Sequence, residues 1–202
     1  MRDRDLVRLY WPAELRPAFD ALFDIDDAMA DVVVRSTQPA LAAIKLAWWR
    51  ERLEELDQGK APAEPRLKAA AAELLPRGIS GAELAELEDG WAALLEETPD
   101  LERALNCGAI LFGLGARLIG SGPPLLLAPA GRLYAAGVLH RLGLVPAASW
   151  AVTPSGSVPV AFRRLTGLAV LAKRDLHRRG PEGTPGRAWA LLRHRLTGRF
   201  PR

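Results

Sequence analysis

Between Ala13 and Arg35 acidic and apolar side chains repeat with a helical period, and the same period recurs along most of the chain. Asp20, Asp24, Asp27 and Asp31 are spaced four, three and four apart, which at about 100° per residue gathers them within about 60° of one another. Leu22, Ile25, Met29 and Val32 cluster on the opposite side, so the segment predicts an amphipathic helix whose apolar face needs a partner. The two-residue alternation of a half-buried strand is nearly missing; Val32-Val33-Val34 sits inside a helical pattern. These features predict an all-α fold.

Local stop and start signals divide the rest. A second helix starts after Ser36-Thr37, with Pro39 in its first turn, and stops at Gly59; a third opens at Pro65 and ends at Pro76-Arg77-Gly78. Ser80 with Glu83 three residues on reads as a capping box for a fourth, continuing through Trp91 to Glu97. A fifth runs from Thr98-Pro99 to Gly120. Beyond it we expect a helix over Ala130–Leu142, an irregular connection from Val145 to Val158, and a helix from Pro159 to Arg179. A Gly/Pro linker over Gly180–Gly186 then leads to a short helix at Arg187–Thr197. The organisation expected is one core over residues 1–179, followed by the linker and a basic C-terminal helix over 180–202.

A chain of 202 residues, 49% of them hydrophobic, suits a single buried core. Cys107 is the sole cysteine, so no internal disulfide forms, and it reads as a small core residue. Residues 1–10 alternate charges where a secretory signal needs an apolar run, which makes the cytoplasm the expected location. The longest uncharged stretch, Leu142 to Phe162, is broken by Pro146, Pro154, Gly156 and Pro159, and no transmembrane span is predicted.

Charge is divided between the halves. Residues 1–102 hold 22 acids against 12 Lys and Arg, residues 103–202 hold 2 against 15, giving −10 and +13 within a total of +3. The aspartate stripe has two readings: a solvated helix face, or a Mg²⁺ site formed by Asp24, Asp27 and Asp31, since a hard cation takes carboxylate oxygens and bridges them to phosphates. Asp26 falls off the stripe, at the flank of the apolar side, where a carboxylate needs a buried partner. Trp48 and Trp49 lie about 100° apart on a helix, so at most one points into the core. Lys45, Arg50 and Arg52 share no face and are expected to pair with Glu51, Glu54 and Glu55 on an exposed helix. Gly108, Gly113, Gly115 and Gly120 permit close approach of another helix or of an apolar ligand chain. His140, His177 and His194 are too dispersed to suggest a metal site.

The segment Gln38-Pro39-Ala40-Leu41-Ala42-Ala43-Ile44-Lys45-Leu46-Ala47-Trp48-Trp49-Arg50, preceded by Leu22-Phe23-Asp24-Ile25, resembles the squalene/phytoene synthase family, in which an aromatic helix precedes a pattern close to E-P-x-L-x-x-I-R-L-x-W-W-R. Leu105 to Gly120 is similar to the family's small-residue helix, and Ala130-Gly131-Arg132-Leu133-Tyr134 through Leu139-His140-Arg141 to the helix after it. The resemblance implies an isoprenoid-synthase-type bundle around a cavity. In active members two Asp-rich motifs on facing helices hold Mg²⁺ and a prenyl diphosphate, and two such substrates join head to head.

Aligned through the tryptophan pair, the first motif, C-R-x-x-D-D-x-x-D, begins at Asp26 and Asp27 in place of its Cys and Arg. Its aspartates fall on Ala30, Asp31 and Val34. The second, Q-x-x-N-x-L-R-D-x-x-x-D, falls on Tyr134, Gly137, Leu139, His140, Arg141 and Val145, with every metal-ligating carboxylate lost. Arg141 thus brings a cation where Mg²⁺ needs an anion, and no acid lies within thirty residues of it in sequence. These departures resemble the family's non-catalytic branch, that of the mitochondrial complex I assembly factor and its bacterial relatives. The implied role is a helical binding or assembly protein with a prenyl or lipid ligand, a protein partner, and a place at the inner membrane. The alternative is a divergent Mg²⁺-dependent prenyl-diphosphate transferase using Asp24, Asp27 and Asp31, with Arg132 and Arg141 holding the diphosphate directly.

The last helix carries Arg187, Arg193 and Arg195, with Arg199 just beyond it, beside Trp189, Leu191, Leu192 and Leu196. Such a basic amphipathic end fits solubilisation or pairing with the acidic first half, or contact with an anionic membrane surface; nucleic acid is the least favoured partner.

Overall fold

Local sequence explains where most helices begin. The computed structural model describes residues 2–60, 63–120, 122, 124–146 and 154–200. Its helices are α1 (Asp3–Arg8), α2 (Arg16–Arg35), α3 (Pro39–Leu56), α4 (Pro65–Glu73), α5 (Gly81–Ala85), α6 (Leu87–Ala92), α7 (Leu101–Ile119), α8 (Leu127–Arg141), α9 (Arg163–His177) and α10 (Pro185–Thr197). Among the described residues no strand forms; Ser157 and Arg199 make one isolated bridge. The all-α expectation holds.

Pro39 and Pro65 sit in first turns, where a missing N–H costs nothing. Ser80 accepts from the Glu83 amide while the Glu83 carboxylate accepts from the Ser80 amide, so the capping box is present. It opens only the short α5, however. The expected long helix over 80–97 is broken into α5, α6 and a 3-10 turn at Ala93–Leu95. The fifth helix starts at Leu101, because the Asp100 side chain accepts from the Glu102 and Arg103 amides and fixes the end there. Helix α1 was not expected. Part of the Val145–Val158 connection, residues 147–153, lies outside the described residues.

Helix α8 packs between α7 and α9; α2 packs on α4 and α7, α3 on α5 and α6, and α10 on α9. Small residues set how closely these helices cross. A Cβ on Gly108 of α7 would collide with the Gly131 carbonyl of α8, and the reverse holds for Gly131. Gly137 of α8 meets Ala172 of α9 equally tightly. Gly113, by contrast, faces open space, and Gly120 ends α7 at φ +74°. Around these crossings Trp11, Phe19, Phe23, Tyr134 and Phe112 form a continuous aromatic chain, with ring centroids 4.6–5.9 Å apart.

On α3, Trp49 is buried and Trp48 exposed, the division their 100° separation requires. Arg50 pairs with Glu54 and with Glu88 of α6; Arg52 pairs with Glu55 and Glu51. Leu41, Ile44 and Trp48 remain exposed on the outer face of α3. No helix among the described residues is long and apolar enough to cross a membrane.

Candidate functional site

The aspartate stripe of α2 is met by arginines from α1. Arg4 donates to Asp24 Oδ1 at 2.5 Å through Nη2 and to Asp27 Oδ2 at 2.8 Å through Nη1, and its side chain is only 13% exposed. Arg8 Nε reaches Asp20 at 2.6 Å, Arg2 stands 3.6 Å from Asp27, and Asp31 pairs with Arg35 along its own helix at 3.3 Å. Burial works against the Arg4 charge, but Asp27 and Asp24 outweigh it and hold the guanidinium pKa above the usual arginine value.

A second ion cluster joins the two ends of the chain. Arg187 of α10, 4% exposed, donates to Asp3 of α1 and to Asp175 of α9, the latter at 2.7 Å. Arg141 of α8 reaches Asp175 at 2.6 Å and Glu182 at 3.8 Å. Asp175 is 34 positions from Arg141, beyond the stretch in which the sequence offered no acid. Asp3 and Asp175, to which the sequence reading gave no role, are the acids buried in this cluster. For Asp175 the sequence signal was scarcity, since after residue 103 Asp175 and Glu182 are the sole carboxylates available to many arginines; Asp3, in the acid-rich half, had no such signal.

Between the clusters lies a cleft of ≈ 180 Å³, lined by Asp27, Tyr134, Gly137, Arg141, Leu168 and Glu182 among others. Arg141 and Asp27 both line this cleft, whereas Arg132 pairs with Glu102 of α7 at 2.6 Å. Burial raises the pKa of Glu182.

No family model, curated protein or solved structure matches this chain. Among the described residues no three His, Cys, Asp or Glu side chains gather into a group that could hold a metal ion. Asp24 and Asp27 share one guanidinium, and Asp31 points to Arg35, so the three carboxylates as arranged do not offer Mg²⁺ a ligand set.

Deeper in the bundle is a polar cluster of a different kind. Asp26 is 4% exposed; it accepts from Trp91 Nε1 at 2.8 Å, and the Cys107 Sγ lies 3.8 Å from the same oxygen. Burial pushes the Asp26 carboxyl up to about 7, against the lowering effect of the Trp91 bond. Burial likewise holds the Cys107 thiol and the Tyr134 phenol well above their usual values, so neither is a ready nucleophile. The cavity beside them, ≈ 10 Å³, has room for about one water molecule.

Proposed function

We propose that the protein is a non-catalytic binding or assembly protein of the squalene/phytoene-synthase type, an isoprenoid-synthase-like bundle working as a peripheral partner at the inner membrane. The observation that carries this reading is Arg4. A fixed cation bridges the two aspartates that a diphosphate-ionising enzyme would give to a metal, and the neutralising role is filled from within the chain.

The interior supports the same reading. Prenyl-sized ligands occupy pockets of roughly 300 Å³ or more, against ≈ 10 Å³ beside Asp26 and ≈ 180 Å³ in the charged cleft. A protein partner is therefore favoured over an enclosed lipid, and the exposed Leu41, Ile44 and Trp48 give α3 an outer face suited to one. The membrane part of the proposal rests on α10, where Trp189, Leu192 and Leu196 are exposed one turn apart with Arg193 and Arg195 flanking them.

One observation favours the enzymatic alternative: Asp175 and Glu182 bring carboxylates to the same cleft as Asp27, from the opposite half of the chain. The two readings separate in one experiment. Incubated with Mg²⁺ and farnesyl or geranylgeranyl diphosphate, the purified protein is expected to leave the substrate unchanged. A condensed product that disappears in the Asp27→Ala/Asp31→Ala variant overturns the non-catalytic reading.

A further inference from the structure

At the junction of α9 and α10 the surface opens into a cleft of ≈ 480 Å³ lined by Lys173, Arg174, His177, Arg178, Arg179 and Arg187, and no carboxylate appears among its lining residues. Several arginines of this molecule, Arg4, Arg8, Arg50, Arg103, Arg117 and Arg141 among them, have carboxylate partners. Arg174, Arg178 and Arg179 have none among the described residues. Like charges lining one cleft repel one another, a cost that an anion between them would relieve.

The cleft is also fixed in shape. Arg187 is tied to Asp3 and Asp175, which clamps the start of α10 onto the end of α9. Arg179 donates to the His140 carbonyl and to its Nε2, anchoring the opposite side. Lys173 is 7% exposed in the wall. The thirteen-residue α10 begins here after Thr184; Pro185 has no N–H and the Arg187 and Ala188 amides donate to the Thr184 carbonyl, so the helix end adds the Gly186 amide and its dipole to the field of the side chains.

We infer that this cleft is a binding site for a phosphate-bearing anion, held by Arg174 and Arg178 beside the start of α10. Both guanidiniums are exposed and able to fork around phosphate oxygens, which a lone surface lysine does less well. The ligand can be a free diphosphate or the headgroup of an anionic lipid; the chemistry recognised is the same. The site is separate from the Asp27 cleft, so the inference stands whether or not the protein turns over a prenyl diphosphate.

The test uses the whole chain and inorganic diphosphate in isothermal titration, with flotation on vesicles of neutral phosphatidylcholine or of phosphatidylcholine with phosphatidic acid. Arg174→Gln/Arg178→Gln removes two exposed cations from the cleft, and Lys45→Gln/Lys68→Gln removes two exposed cations elsewhere as a control for net charge. Diphosphate binding that falls about tenfold or more in the first variant and not in the second supports a free-anion site. Capture by phosphatidic-acid vesicles with the same dependence on Arg174 and Arg178, in the absence of diphosphate binding, assigns the site to a headgroup. Binding to neither probe, or equal losses in both variants, overturns the inference.

Discussion

Trp91 Nε1 donates to Asp26 Oδ1 at 2.8 Å in the middle of the bundle, joining side chains 65 positions apart that are both shielded from water. A carboxylate at the edge of an apolar helix face requires such a partner. One hydrogen bond does not repay the full desolvation of the charge, so the carboxyl titrates near neutrality.

That titration sets a pH dependence. The unfolded Asp26 carboxyl has its ordinary value of 3.8, while the folded one is at about 7. Between those values the native state holds a proton that the unfolded chain has released, so stability falls as pH rises through the window. The contribution lost by pH 8 relative to pH 4 is on the order of 4 kcal/mol. Asp26→Asn keeps an oxygen to accept from Trp91 and carries no charge. It is expected to be more stable than the parent at pH 8 and nearly level with it at pH 4, by urea unfolding at both pH values. Parallel stability curves for the two proteins would contradict the assignment.

Trp91→Phe tests the other partner. The indole bond favours the charged carboxylate, so losing it moves the Asp26 pKa further up. The variant should lose roughly 1–3 kcal/mol, and the loss should be greater at pH 8, where the unpaired carboxylate must ionise or stay protonated at a cost, than at pH 5. Chemical denaturation at the two pH values measures the difference.

How much of this was legible in the sequence depends on how far each partner lies along the chain. The α2 stripe, Pro39, Pro65 and the Ser80–Glu83 box are signals completed within a few residues, and each appears where the sequence places it. The need of Asp26 for a buried partner was readable from its position on the helix; Trp91 as that partner was not, because nothing local links the two. Helix α1 is the clearest omission. Six residues rarely hold a helix in water, and α1 persists through contacts with Asp20, Asp24 and Asp27 of α2 and with Arg187, which is 184 residues from Asp3. From its spacing alone the aspartate stripe reads as a solvated face or as a metal site, and nothing local announces the α1 arginines that stand opposite it. The break after α5 has no comparable local signal that we can identify.

Arg187→Met probes the contact between the chain ends. The substitution keeps an unbranched side chain and leaves Asp3 and Asp175 buried, with Arg141 as the remaining cation beside Asp175. Removing one member of a buried ion cluster costs about 3–5 kcal/mol. We expect a large drop in the urea midpoint and faster proteolysis in the Gly180–Gly186 segment, as α10 loses its anchor. Adding Asp3→Asn to the same chain should recover part of the loss, because one of the stranded charges is gone; no recovery would mean that Arg187 acts through packing alone.

The stripe itself gives the last prediction. Arg4 neutralises Asp24 and Asp27, which stand one turn apart, since its two nitrogens take one oxygen from each. Both carboxylates are about two-fifths exposed, so solvent screens the pair, and Arg4→Met should cost only on the order of 1 kcal/mol. The electrostatic consequence is larger than the loss of stability. With the guanidinium removed, Asp24 and Asp27 face each other with Arg2 at 3.6 Å as the nearest remaining cation, a geometry that a divalent ion relieves. Millimolar Mg²⁺ should therefore raise the melting temperature of Arg4→Met while leaving that of the parent unchanged, and Asp27→Asn in the same background should abolish the effect. A parent protein that already responds to Mg²⁺, and loses the response with Asp27→Asn, would show that Arg4 yields its place to the metal, and the stripe would have to be read as a working cation site.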